Sequence, residues 1–131
     1  MNKQNNMPNI NKSFIKRKSI ESVEQIKFVQ HVRTFHPDLV IFSIPNGADV
    51  SASQRIRLTQ EGMLAGVPDV MIMALDLPVL AIEFKRPDGK GKVSQEQQDT
   101  QLQMEGVGAI IRIATSSEQA KGFLAAWLAG G

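Results

Sequence analysis

Three charged side chains set among apolar runs carry the chemistry of this sequence: Asp69, Glu83 and Lys85. Asp69 closes the segment Gly66-Val67-Pro68-Asp69 and is followed by Val70-Met71-Ile72-Met73-Ala74. Glu83-Phe84-Lys85 follows Val79-Leu80-Ala81-Ile82. Both apolar runs have the length and composition of buried β-strands. Side chains alternate faces along a strand, so Glu83 and Lys85 point one way and Phe84 the other. With Leu75-Asp76-Leu77-Pro78 as a hairpin turn, Asp69 lies beside Glu83 and Lys85 at one edge of a small sheet. Two carboxylates and an ammonium there suit a divalent metal and an anionic substrate.

That combination meets the needs of phosphodiester hydrolysis, which requires a nucleophilic water, neutralised charge on the phosphate and help for the leaving oxygen. A carboxylate-held Mg²⁺ supplies the charge and lowers the pKa of a bound water. Magnesium keeps several waters and takes only one or two protein carboxylates. Asp69 and Glu83 fill that quota, and the Phe84 backbone carbonyl adds a third oxygen from the strand edge. Lys85 would hold the attacking water or the phosphate, and would act as a base only with its pKa depressed. Either fragment alone is commonplace, as a turn before a strand or as a surface ion pair. Their spacing, the flanking strands and the basic loop behind Lys85 together point to a site.

The elements that position these residues follow from periodicity and caps. Ser19 opens a helix of about four turns to Thr34, with Val23, Ile26, Phe28, Val29 and Val32 as its buried stripe. His36-Pro37-Asp38 turns the chain into a strand over 39–44, closed by Pro45-Asn46-Gly47. Ser51 or Ser53 caps a second helix over 52–64, with Ile56, Leu58 and Met63 on its apolar side and Gly66 just past its end. After the hairpin, Arg86-Pro87-Asp88-Gly89-Lys90-Gly91-Lys92 reads as a flexible basic loop. Arg86, Lys90 and Lys92 leave the catalytic strand directly and would grip phosphate. Ser94 caps a glutamine-rich helix from Gln95 to Glu105, a fourth strand spans 107–114, and Ser116 or Ser117 starts a last helix holding Trp127. The order α-β-α-β-β-α-β-α predicts an α/β fold with a mixed central sheet flanked by helices, its last strand joined by a parallel crossover.

Composition narrows the classes further. At 131 residues the chain is long enough for one core and too short for two. It has no cysteine and two histidines, His31 and His36, so any metal would have oxygen ligands, as Mg²⁺ or Mn²⁺ prefers. No run approaches the ~20 apolar residues of a membrane span, and nothing reads as a signal peptide, so the expected location is the cytoplasm. The net charge of +2 hides an asymmetry: residues 1–20 hold five basic residues and no acid, leaving ten basic against thirteen acidic in the rest. Residues 1–18 are read as a basic, disordered arm that either tracks phosphates or stays solvated. Residues 19–131 are read as one domain. No glycine-rich phosphate loop supports a nucleotide-binding reading.

Gly66-Val67-Pro68-Asp69, then Ile82-Glu83-Phe84-Lys85-Arg86-Pro87-Asp88-Gly89, then Val93-Ser94-Gln95-Glu96-Gln97 resemble the signature of the virus-type replication-repair nuclease (VRR-NUC) domain. This is a branch of the PD-(D/E)xK nuclease superfamily, with its restriction-endonuclease-like core. Ser43-Ile44-Pro45-Asn46-Gly47, Arg55, Glu61-Gly62 and Glu24-Gln25 extend the resemblance to about residues 20–128, a stand-alone module. It departs at Gln95, where the family often has proline. The resemblance implies Asp69 and Glu83 as metal ligands, Lys85 as the catalytic lysine and Gln97 as a glutamine facing the site. It also implies a first-helix glutamate near the metal. Glu24 fits by its Glu-Gln context, with Glu21 as the alternative on the same helical face. Asn46 and Arg55 become candidate DNA contacts, with a turn and an exposed helix face as their structural readings. The implied activity is Mg²⁺- or Mn²⁺-dependent endonucleolytic cleavage of DNA. Stand-alone modules resemble Holliday-junction resolvases, in which a two-fold homodimer places two sites on opposed strands. A flap or nicking nuclease, or a non-catalytic DNA-binding module, is the alternative. The setting implied is phage or prophage replication and repair.

Overall fold

The computed structural model describes residues 19–45, 50–88 and 91–130. Its elements are α1 (Ile20–Phe35), β1 (Val40–Ser43), α2 (Ala52–Gln60), β2 (Val70–Met73), β3 (Leu80–Phe84), α3 (Gln95–Gly106), β4 (Ile110–Ala114) and α4 (Ser117–Leu128). The order matches the sequence expectation. The four strands form one sheet in the order β1-β2-β3-β4. β1 and β2 pair antiparallel, β2 and β3 pair antiparallel with Val70 opposite Ile82, and β3 and β4 pair parallel with Glu83 opposite Ile113. The parallel step is the one that needs a crossover, and α3 supplies it.

Alternation along the strands divides the core in two. Ile41, Val70, Ile72, Leu80, Ile82 and Phe84 face α1 and α4, where they meet Phe28, Val32, Leu124 and Trp127. The Phe28 and Phe84 rings meet at 5.9 Å in a tilted arrangement, so Phe84 anchors β3 to α1. The Trp127 indole donates to the Pro78 carbonyl at 2.9 Å, tying α4 to the hairpin turn. Met71, Ala81 and Ile111 face the opposite layer, with Met104 of α3 against them.

Three expectations shift at element ends. Val23 and Ile26 are 36% and 38% exposed, so the fully buried part of the α1 stripe narrows to Phe28 and Val32. α2 stops at Gln60, not at residue 64. Gly62 adopts φ +118°, its N–H donates to the Thr59 carbonyl and the Met63 N–H to the Leu58 carbonyl, a left-handed stop four residues before Gly66. The same device at Gly108 (φ +104°) ends α3 and delays β4 to Ile110, leaving Val107 88% exposed. No helix among the described residues is long and apolar enough to cross a membrane.

Candidate active site

The antiparallel register that sets Val70 opposite Ile82 brings Asp69 alongside the end of β3. There the Asp69 Oδ2 accepts the Phe84 N–H at 2.7 Å, and its carbonyl accepts the Ile44 N–H at 3.1 Å. Burial pushes the Asp69 carboxyl up, against the opposing pull of the Phe84 N–H and Lys85, while Glu21 across the cavity adds to the rise. Glu83 is only 4% exposed. Burial, reinforced by the Asp69 charge, raises its pKa to about 7 despite Lys85 and Gln97 beside it.

One helical residue ties this cluster together. The Gln97 Nε2 donates to Glu83 Oε2 at 2.8 Å, and its Oε1 accepts from Lys85 Nζ at 3.0 Å. Lys85 Nζ also lies 3.3 Å from Glu83 Oε2 and donates to the Lys92 carbonyl at 3.3 Å. The Gln97 carbonyl oxygen further accepts the Ser94 N–H at 3.0 Å, while the Gln97 N–H donates to Ser94 Oγ at 3.1 Å. This reciprocal capping box starts α3. The sequence marks Ser94 as the cap and, by resemblance, Gln97 as a glutamine facing this cluster; that one side chain takes part in both was not legible there.

Asp69, Glu83, Phe84, Lys85 and Gln97 line a cavity of about 320 Å³ with Ser19, Glu21, Ser22 and Gln25 of the first helix region. A second hollow of about 440 Å³ shares Asp69 and Gln97 and is lined by Arg55, the Ala65–Val67 loop, Ser94 and Glu96. A divalent cation fits the first cavity chemically. Glu83 Oε1 is buried without a hydrogen-bond partner, and burial raises the pKa of both carboxylates there even with Lys85 beside them. Among the described residues no three His, Cys, Asp or Glu side chains gather into a metal-holding group. The donors on offer to a cation in this cavity would be the two carboxylates and the Phe84 carbonyl, a set within the one or two carboxylates that Mg²⁺ takes with its waters.

The first-helix acid is where the structure departs from expectation. Glu24 turns away from this cavity. Its Oε1 accepts the Ser117 N–H at 2.8 Å and its Oε2 pairs with Lys27 at 3.1 Å. It thus satisfies the first turn of α4, and the Ser117 N–H followed by Lys27 pulls its pKa down. It lines a groove with His31, Glu118 and Lys121 instead. Glu21 faces Asp69 and Glu83, with Gln25 one turn on. Three residues on a helix amount to ~60° of rotation, too little for sequence to separate the two.

The candidate DNA contacts scatter. Arg55 is exposed on α2 at the second hollow. Arg86 pairs with Asp88 at 2.8 Å, with its Nε buried and unpartnered. Lys92 is exposed, and its carbonyl holds Lys85. Asn46, Lys90 and the arm 1–18 lie outside the described residues.

Comparison with known proteins agrees on architecture. No family model matches the sequence, and no curated protein matches it. A solved structure described as a "VRR_NUC domain protein" superposes with a TM-score of 0.64, covering 85% of this chain and 89% of that one at 17% identity. The chain has a VRR-NUC fold, with the mixed four-stranded sheet and flanking helices described above.

Proposed function

We propose that this chain is a Mg²⁺- or Mn²⁺-dependent, structure-specific DNA endonuclease that cuts four-way junctions as a homodimer in the cytoplasm. The observation that carries the reading is the pair of adjacent carboxylates, half-buried Asp69 and buried Glu83, with the Lys85 ammonium 3.3 Å from Glu83. Asp69, Glu83 and the Phe84 carbonyl would hold the cation. Bound there, it supplies positive charge for the scissile phosphate and acidifies a water.

The protein's own residues do the rest. The Phe84 N–H fixes the Asp69 carboxylate, leaving its second oxygen for binding. Glu83, whose pKa burial raises to about 7, would have to give up its proton to serve as a cation ligand. Gln97 keeps Lys85 against the site through its Oε1, so the ammonium is placed for a phosphate oxygen or the attacking water. Glu21, on the opposite wall, is the first-helix acid of this reading. Arg55 and Lys92, exposed to either side, would contact phosphates of the flanking strand.

A junction needs two symmetric cuts, which a two-fold dimer supplies. α4 spends its apolar side on the core through Leu124 and Trp127. Val40, Phe42 and Met73 stand 58%, 39% and 48% exposed on the β1–β2 edge, with Val40 opposite Met73. A second copy would cover them.

The test is cleavage of a labelled four-way junction, a flap and a linear duplex with Mg²⁺ or Mn²⁺. Paired symmetric nicks on the junction are expected. Preference for the flap would keep the chemistry and remove the resolvase reading. Absence of metal-dependent cleavage on any substrate would leave a DNA-binding module.

A further inference from the structure

The loop that brings Asp69 to the site is pinned from behind. Thr100 of α3, only 6% exposed, donates its hydroxyl to the Ala65 carbonyl at 2.6 Å. A helical threonine ordinarily satisfies its hydroxyl on its own helix, one turn back. Thr59 of α2 does so, donating to the Arg55 carbonyl at 2.8 Å. Thr100 instead reaches a residue 35 positions away.

The contact continues through the backbone. Gly66, at φ +88°, lies so close to the first turn of α3 that a Cβ there would overlap the Glu96 carbonyl and stand 2.9 Å from the Gln97 nitrogen. The same turn presents Gln97 to Glu83 and Lys85. α3 therefore touches both halves of the acidic site, behind Asp69 through Thr100 and Gly66 and beside Glu83 through Gln97.

We infer that Thr100 is a positioning residue for cation binding: its hydroxyl fixes the Ala65–Asp69 loop on α3 and so sets the separation of Asp69 from Glu83. Magnesium-sized cations demand near-ideal oxygen geometry, so a loop free to shift loses affinity before it loses its fold. The inference rests on the reading of Asp69 and Glu83 as ligands.

The test is calorimetric titration of Mn²⁺ into the wild type, Thr100→Val, Thr100→Ser and Asp69→Ala, well below their unfolding temperatures. Valine replaces the hydroxyl by a methyl of similar volume and leaves the Ala65 carbonyl bare. The expected result is Mn²⁺ binding about tenfold weaker in Thr100→Val, near wild type in Thr100→Ser and lost in Asp69→Ala. Amide exchange at Gly66 and Val67 should quicken in the valine variant alone. Wild-type affinity in Thr100→Val, with Asp69→Ala still losing binding, overturns the positioning role. Unchanged binding in Asp69→Ala overturns the cation site beneath it. If the valine variant does not fold, the serine variant decides, and a tenfold loss there counts against the role of the hydroxyl.

Discussion

α2 and α3 are nearly the same helix at their ends and opposite in their use. Each starts with a Ser-x-x-Gln capping box, Ser51 with Gln54 and Ser94 with Gln97. Each stops at a left-handed glycine, Gly62 and Gly108. α2 buries none of its residues and packs on no other element among the described residues. α3 buries Thr100 and Gln101 and packs on β4. The Gln54 amide oxygen accepts the Ser51 N–H, and the Gln97 amide, besides the matching bond to Ser94, engages Lys85 and Glu83. Local sequence built both helices, and tertiary placement decided which capping glutamine became part of a site.

Substitution should separate the two glutamines cleanly. Gln97→Ala removes the link between Lys85 and Glu83 and should lower single-turnover cleavage by about 100-fold. Gln54→Ala removes a single exposed cap bond, worth about 0.5 kcal/mol, and should leave cleavage within about twofold. Equal effects in the same assay would mean that the Gln97 bonds matter only as a cap.

The neighbouring acids of α1 offer the next contrast. Glu21→Gln should reduce cleavage about tenfold with little change in melting temperature, since Glu21 faces the cavity. Glu24→Gln should leave cleavage unchanged and cost about 1 kcal/mol of stability by weakening the contact with Ser117 and Lys27. Reversed results would return Glu24 to the site.

The smallest effect is in pH. The folded chain holds the Glu83 proton up to about pH 7, whereas its ordinary value is 4.5. In that window the unfolded chain binds fewer protons, so stability falls as pH rises and levels off above the folded pKa. Asp69, also raised, acts in the same direction. Melting temperatures between pH 4 and 8 should therefore decline by several degrees from this site. Glu83→Gln should flatten the slope, and Mg²⁺ should recover the loss at pH 8. A slope unaltered by Glu83→Gln would show that the carboxylate is not strained.

Much of this was legible because it is local. Serine caps placed the helices, apolar runs placed the strands, and the hairpin put Asp69 beside Glu83 and Lys85. What was hidden depends on distances between segments remote in sequence. Glu24 fits a site motif yet serves Ser117, 93 residues on. Thr100 has no motif at all and meets Ala65 only because Gly66 allows two backbones to touch. Ile56, set on the apolar side of α2 in sequence, is 62% exposed because α2 packs on no other helix or strand.

The most direct measurement is single-turnover cleavage of a labelled four-way junction in Mg²⁺ by the wild type and Asp69→Asn. Asparagine still accepts the Phe84 N–H, so the fold is kept while the charge is lost. The expected result is metal-dependent cleavage by the wild type and a fall of about 10³-fold in the variant. Equal rates in the two proteins, or wild-type cleavage that persists in a chelator, would contradict a metal nuclease built on Asp69 and Glu83.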